Sequence, residues 1–157
     1  VFDGHNINAR SNMLLGSMLA GKAFANSPVA AVHALAYPIG GLFNISHGLS
    51  NSLVLTSVMK FNSQNEETKK NYAHLAPYVF KNLDNSKNDE FLCNNFIDGL
   101  ERLCKELNLP YRLRDLEIPE EACKLMASEA MKHTRLLVNN PQKIEESDAY
   151  NIYKSVW

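Results

Sequence analysis

The sequence predicts an all-α fold: one domain over residues 1–157, built as a bundle of about six to eight helices, and three observations predict it. Apolar residues recur at three- and four-residue intervals nearly from end to end, the spacing that keeps side chains on one face of a helix. Pro28, Pro38 and Pro119 fall where such helices would start, stop or kink. No segment reads as a strand, no repeat period is visible, and no stretch is of low complexity.

The first helix is expected from Asn8 to Asn26, where Met13, Leu14, Met18, Leu19, Ala23 and Phe24 follow the helical spacing up to Ser27-Pro28. A second helix follows, containing VAAVHALAY; almost no charge occurs from Ser27 to Asn44, so it should be covered on most sides and be the most buried. Pro38 and Gly40-Gly41 are read as its end or kink. His47-Gly48 opens a third apolar helix, LSNSLVLTSVMKFN, which stops at the polar SQNEE. Amphipathic helices are expected at Glu66 to Phe80 and at Asp89 to Leu107, the latter with Phe91, Phe96, Leu100 and Leu103 on one side. NLPYRLRDLEIPEE reads as a loop ending in a helix start at Pro119, with acids in the first turn. Helices at Glu120 to Arg135 and Glu145 to Trp157 complete the chain.

Composition bounds the function. A chain of 157 residues, 45% of them hydrophobic, can bury a core of its own. Sixteen basic residues are offset by seventeen acidic ones and are scattered, which removes the electrostatic footprint of a nucleic-acid binder. No apolar run reaches the roughly 18 residues that a membrane span needs, so no membrane partner is expected. Cys93, Cys104 and Cys123 are odd in number and sit in apolar helical surroundings, the pattern of reduced, buried thiols in a cytoplasmic protein.

The chemistry concentrates between Ala20 and Asn51, AGKAFANSPVAAVHALAYPIGGLFNISHGLSN. His33 and His47 stand on separate elements there, and imidazole is the commonest metal ligand among side chains. In one unbroken helix fourteen residues would hold them far apart, at about 1.5 Å rise per residue. The Pro38-Ile39-Gly40-Gly41 stretch is read as the break that lets the chain fold back. The plainer reading of His33 is a hydrogen-bonded core residue. Two imidazoles also fall short of the usual three or four ligands, and no carboxylate lies nearby. Tyr37, one turn after His33, reads equally as a donor beside a substrate or as an aromatic with its hydroxyl at a wet edge. Phe24 carries a similar ambiguity. His5, His74 and His133 lie among polar residues and read as surface histidines. Neither a CxxC pair, nor GxGxxG, nor a P-loop is present.

The run AGKAFANSPVAAVHALAYPIGGLFNISHGLSNSLVLTSVMKFN resembles the signature region of the iron-containing alcohol dehydrogenases, with a His, a Gly-rich turn and a second His fourteen residues on. LNLPYRLRDLEIPEEACKLMASEAMKHTRLLVNNPQKIEESDAYNIYKSVW is similar to the C-terminal end of that family, so the resemblance covers almost the whole chain. It implies that His33 and His47 are two of four metal ligands and that Phe24 lines the site near the nicotinamide. Many members carry His where this chain has Tyr37, and Pro where it has Ser46, so a role of Tyr37 in proton transfer is carried over across a change of residue type.

The resemblance further implies a helical metal-binding C-terminal domain belonging to a longer two-domain enzyme. The two other ligands, an Asp and a His one turn apart, and a nucleotide-binding α/β domain would precede Val1. The cofactors implied are a divalent metal, iron first and zinc as the alternative, with NAD or NADP; the substrate is a small alcohol or aldehyde. The isolated chain is expected to be inactive, and to self-associate through the face carrying Ala20, Phe24 and Tyr37 as a homo-oligomer. The alternative is a non-catalytic helical interaction module descended from such an enzyme.

Overall fold

The computed structural model describes residues 2–157, which form eight α-helices and one 3₁₀ turn, with no strand among the described residues. The helices are α1 (Ile7–Asn26), α2 (Ala31–Phe43), α3 (His47–Asn62), α4 (Glu66–Val79), α5 (Asp89–Glu106), α6 (Ala122–Met131), α7 (Thr134–Leu137) and α8 (Glu146–Ser155), and the 3₁₀ turn is Leu113–Leu116. The all-α expectation holds. Several starts follow from capping: Asn6, Asn65 and Asn88 each accept the backbone N–H three residues on, and Glu145 with Asp148 forms a reciprocal capping box.

Two cores organise the body. The larger gathers Ala31, Ala34, Leu35 and Ile39 of α2, Leu53, Val54 and Val58 of α3, Met126 and Ala130 of α6, and Ile152 and Tyr153 of α8. The smaller joins Met59 of α3 to Ala73 and Ala76 of α4 and to Leu92, Cys93, Phe96 and Ile97 of α5. α3 alone contributes helical side chains to both, so it fixes the position of one core relative to the other. Inside the larger core the Tyr153 hydroxyl donates to the Leu35 carbonyl at 2.6 Å, tying α8 to α2.

The region around Pro38 departs from the sequence reading. α2 runs through Pro38, Gly40 and Gly41 to Phe43, and the chain reverses at Asn44, whose φ of 55° is left-handed. An interior proline removes one helix hydrogen bond and costs about 3 kcal/mol. Burial of Leu35 and Ile39, each at about 1.5–3 kcal/mol, offsets that. Gly40 is needed for close approach instead of for a turn: a Cβ there would lie 3.2 Å from the Ile45 carbonyl oxygen.

Other boundaries shift as well. α2 begins at Ala31 and α6 at Ala122, past the prolines, and the helix expected to run to Arg135 is interrupted at Lys132 and His133. α2 buries Ala31, Ala34, Leu35, Ala36, Pro38 and Ile39, more residues than α6, which buries Ala122, Cys123, Met126, Ala127 and Ala130, and as many as the longer α3. On α5 the buried stripe is Leu92, Cys93, Phe96 and Ile97, while Phe91 and Leu103 face solvent.

The largest departure is α1. It is helical as its spacing predicts, yet it buries none of its residues, and Met13, Leu14, Met18 and Phe24 are more than half exposed. Local propensity forms this helix without a core to receive it.

A Cβ at Gly99 would meet the Phe80 ring at 2.5 Å, whereas one at Gly41 meets nothing within 4 Å. Gly99→Ala should therefore cost about 1–3 kcal/mol in urea unfolding, and Gly41→Ala should be neutral or stabilising by up to about 1 kcal/mol.

Candidate functional site

The site forms where α2 turns into α3. His33 projects from the exposed side of a helix whose opposite side, Ala31, Ala34 and Leu35, is fully buried, so its direction is set by that packing. His47 is the first residue of α3, placed by the three-residue reversal Asn44-Ile45-Ser46. The two ring centroids lie 5.1 Å apart, with the planes at 53°. Two imidazoles sharing one tetrahedral ion at nitrogen distances of about 2.0–2.1 Å have centroids about 5 Å apart, so the observed spacing suits that arrangement.

Hydrogen bonding orients His47. The Asn51 amide Nδ2 lies 3.1 Å from His47 Nε2 and donates to the His47 carbonyl at 2.9 Å. Which of the two nitrogens donates in the first contact is set by the tautomer of the ring. Asn51 Oδ1 is buried without a hydrogen-bond partner. Burial, followed by the nearby His47, holds the His33 imidazole below its ordinary pKa, favouring the neutral form that can ligate a metal.

Tyr37 joins this pair of rings. It is 40% exposed, and its ring centroid lies 6.1 Å from His47 and 4.9 Å from His133, edge-on to the latter. His133 thus joins the cluster and is not a solvated surface histidine. Its sequence neighbourhood, Lys132-His133-Thr134-Arg135, gives no signal of this, because the interruption between α6 and α7 is what swings it toward α2. His5 and His74 are exposed, as expected. Phe24 is not brought to these rings; it stands 59% exposed on α1. Cys93 and Cys123 are buried and burial raises their thiol pKa values, which leaves them poor nucleophiles.

A groove of about 540 Å³ opens beside His33 and Asn51, lined also by Val32, Leu55, Tyr72 and Asn140. Among the described residues, no group of three or more His, Cys, Asp or Glu side chains is placed to hold a metal. His33 and His47 fit a divalent ion as two of its ligands. A full set needs donors from outside this chain's described residues.

The profile described as the Fe-containing alcohol dehydrogenase family, C-terminal, matches residues 1–157. Long-chain-alcohol dehydrogenase 1 of Geobacillus thermodenitrificans is 36% identical over the whole of this chain and 39% of its own length. The 1,3-propanediol dehydrogenase of Citrobacter freundii is 32% identical over 98% of this chain and 39% of its own. The crystal structure of a 1,3-propanediol oxidoreductase superposes with a TM-score of 0.90 at 30% identity, covering 98% of this chain and 39% of that one. The chain therefore spans about two fifths of the length of these relatives.

The depressed His33 pKa has a sign that can be checked in the metal-free chain. As pH falls below about 6.5 the unfolded chain takes up a proton at this residue while the folded chain does not, so this group's contribution lowers stability through that window and is nil above it. NMR titration of the His33 ring should give a midpoint below 6.5; a midpoint at or above that value contradicts the assigned environment.

Proposed function

The chain belongs to the Fe-containing alcohol dehydrogenase family, whose C-terminal region it matches throughout, and on that premise we propose that it is the helical metal-binding domain of a two-domain enzyme. The whole enzyme would transfer hydride between a primary alcohol or aldehyde and NAD or NADP. The observation that carries this reading is the pair of converging imidazoles, His33 and His47, in a chain that matches the family end to end.

In this reading His33 and His47 hold a divalent ion, iron first and zinc as the alternative, with two further ligands from the preceding part of the protein. Such an ion, when bound, supplies Lewis-acid polarisation of the substrate oxygen. The side chains of this domain do the rest of the local work. His33 stays neutral and so keeps its lone pair for coordination; Asn51 holds the His47 ring in place. Tyr37, whose ring centroid lies 6.1 Å from that of His47, would offer its hydroxyl as proton donor and acceptor toward the substrate oxygen. Phe24 on α1 would line the nicotinamide side once the nucleotide-binding domain covers that helix. Three free cysteines suit a reducing compartment, and we place the protein in the cytoplasm on that ground.

In the full-length protein His33→Ala and His47→Ala should each lower alcohol-dependent NAD(P) reduction by about 10²-fold or more and release bound metal, read by elemental analysis. The isolated 157-residue chain should show no such activity, for want of a phosphate-binding loop. Turnover by that chain, abolished by His33→Ala, overturns the reading.

The exposed apolar residues of α1 also predict self-association of the isolated chain. Sedimentation should show dimers or larger species at high concentration, dispersed by Leu14→Glu with Met18→Glu. Strictly monomeric behaviour counts against a homo-oligomeric face on α1.

A further inference from the structure

We propose that a second cleft, away from the paired imidazoles, binds a phosphate dianion, free or carried on a small organic molecule. The cleft has a volume of about 370 Å³ and opens where α3, the end of α5, the 3₁₀ turn and the end of α8 meet. That volume is within the range of small-molecule sites. Thr56 and Lys60 on its α3 wall stand about 14 and about 20 Å along the helix from His47, at about 1.5 Å per residue. The cleft is therefore separate from that pair, and nothing in it depends on the dehydrogenase reading.

Five cations line it: Lys60, Lys105, Arg112, Arg114 and Lys154. The two carboxylates that line it as well are spent on the lysines. Glu101 accepts from Lys60 at 3.3 Å and from Lys105 at 2.9 Å, and Glu120 pairs with Lys154. Arg112 and Arg114 are left without a carboxylate among the described residues; their guanidiniums lie against aromatic rings, 5.6 Å from the Tyr111 centroid and 4.9 Å from that of Trp157. The mount is firm. Trp157 donates its indole N–H to the Ile118 carbonyl at 2.9 Å, and Leu113, wholly buried between the two arginines in sequence, donates its N–H to the Val156 carbonyl at 2.8 Å. On the α3 wall the hydroxyl of half-buried Thr56 has no hydrogen-bond partner among the described residues.

The kind of anion follows from these donors. A phosphate monoester carries about −1.5 to −2 charges at neutral pH and three strong acceptor oxygens. Two guanidinium forks match that charge, and with the Thr56 hydroxyl they offer donors to all three oxygens. A single carboxylate would occupy one fork and leave the other uncompensated. The arginines stand two residues apart on one short segment, which suits a single doubly charged group better than a dianion with its charges at two ends.

Isothermal titration calorimetry of the full-length protein with glycerol 3-phosphate should give a Kd of about 1 mM or below. Arg112→Gln and Arg114→Gln should each weaken binding about tenfold or more, and Thr56→Val, which keeps the side-chain volume, should weaken it to a smaller extent. Arg135→Gln, an equal loss of charge outside the cleft, should leave it unchanged. Should Arg114→Gln fail to fold for want of its contact with Trp157, Arg112→Gln and Thr56→Val carry the test. Inorganic phosphate separates the two forms of ligand: binding weaker than that of the ester assigns the cleft to an organic phosphate, equal binding assigns it to phosphate itself, and either supports the inference. Absence of saturable binding by both phosphates, binding undiminished in the arginine variants, an equal loss in Arg135→Gln, or malate binding as tightly as glycerol 3-phosphate overturns it. The dehydrogenase reading stands or falls separately, on metal content and turnover.

Discussion

The burial of α2 is the constraint on which the rest depends. Its alanines, Ala31, Ala34 and Ala36, are small enough for α3 and α6 to pack close, and Leu35 and Ile39 fill the space between them without solvent exposure. The Tyr153 hydroxyl, deep in the same core, satisfies its hydrogen bond on the Leu35 carbonyl and anchors α8 to this helix. Burial holds that hydroxyl's pKa far above its ordinary value, so it stays neutral under all ordinary conditions. A helix clamped in this way cannot rotate about its axis. The directions of His33 and Tyr37, on its uncovered side, are thereby settled from behind, by residues that take no part in chemistry.

The same clamp explains why α2 tolerates Pro38 and where it ends. The close approach of Gly40 to Ile45 requires the reversal to fall beyond the glycines, and Asn44 makes it in a left-handed conformation that asparagine accepts more readily than most residues. Ser50, buried just inside α3, donates its hydroxyl to the Ser46 carbonyl at 3.1 Å and satisfies itself within the turn region. His47 is thus placed by a junction that has little freedom. Preorganisation of two imidazoles at one spot follows from core packing and one tight reversal, with no direct bond between the rings.

One side of the molecule has a different character. The two cores close without α1, and its apolar residues stay open to solvent. Among the described residues two imidazoles, His33 and His47, stand together without a third His, Cys, Asp or Glu placed to complete a metal site with them, and the uncovered apolar surface lies on α1.

Much of this was legible in the amino-acid order. Helical spacing identified nearly every element, because periodicity reports which residues share a face irrespective of what covers it. The near-absence of charge from Ser27 to Asn44 marked a covered helix, and His33 with His47 marked two rings that the fold brings together. Three things were decided only in three dimensions. Periodicity could not say that the apolar face of α1 goes unburied, since spacing is a local property and burial needs a partner. Proline and glycine signals placed the reversal at residues 38–41, but the packing energy of Leu35 and Ile39 carried the helix through them to Asn44. His133, a hundred residues from His33 and set among polar neighbours, reached Tyr37 only because α6 packs on α2 and stops where it does; long-range contact of that kind leaves no trace in local sequence.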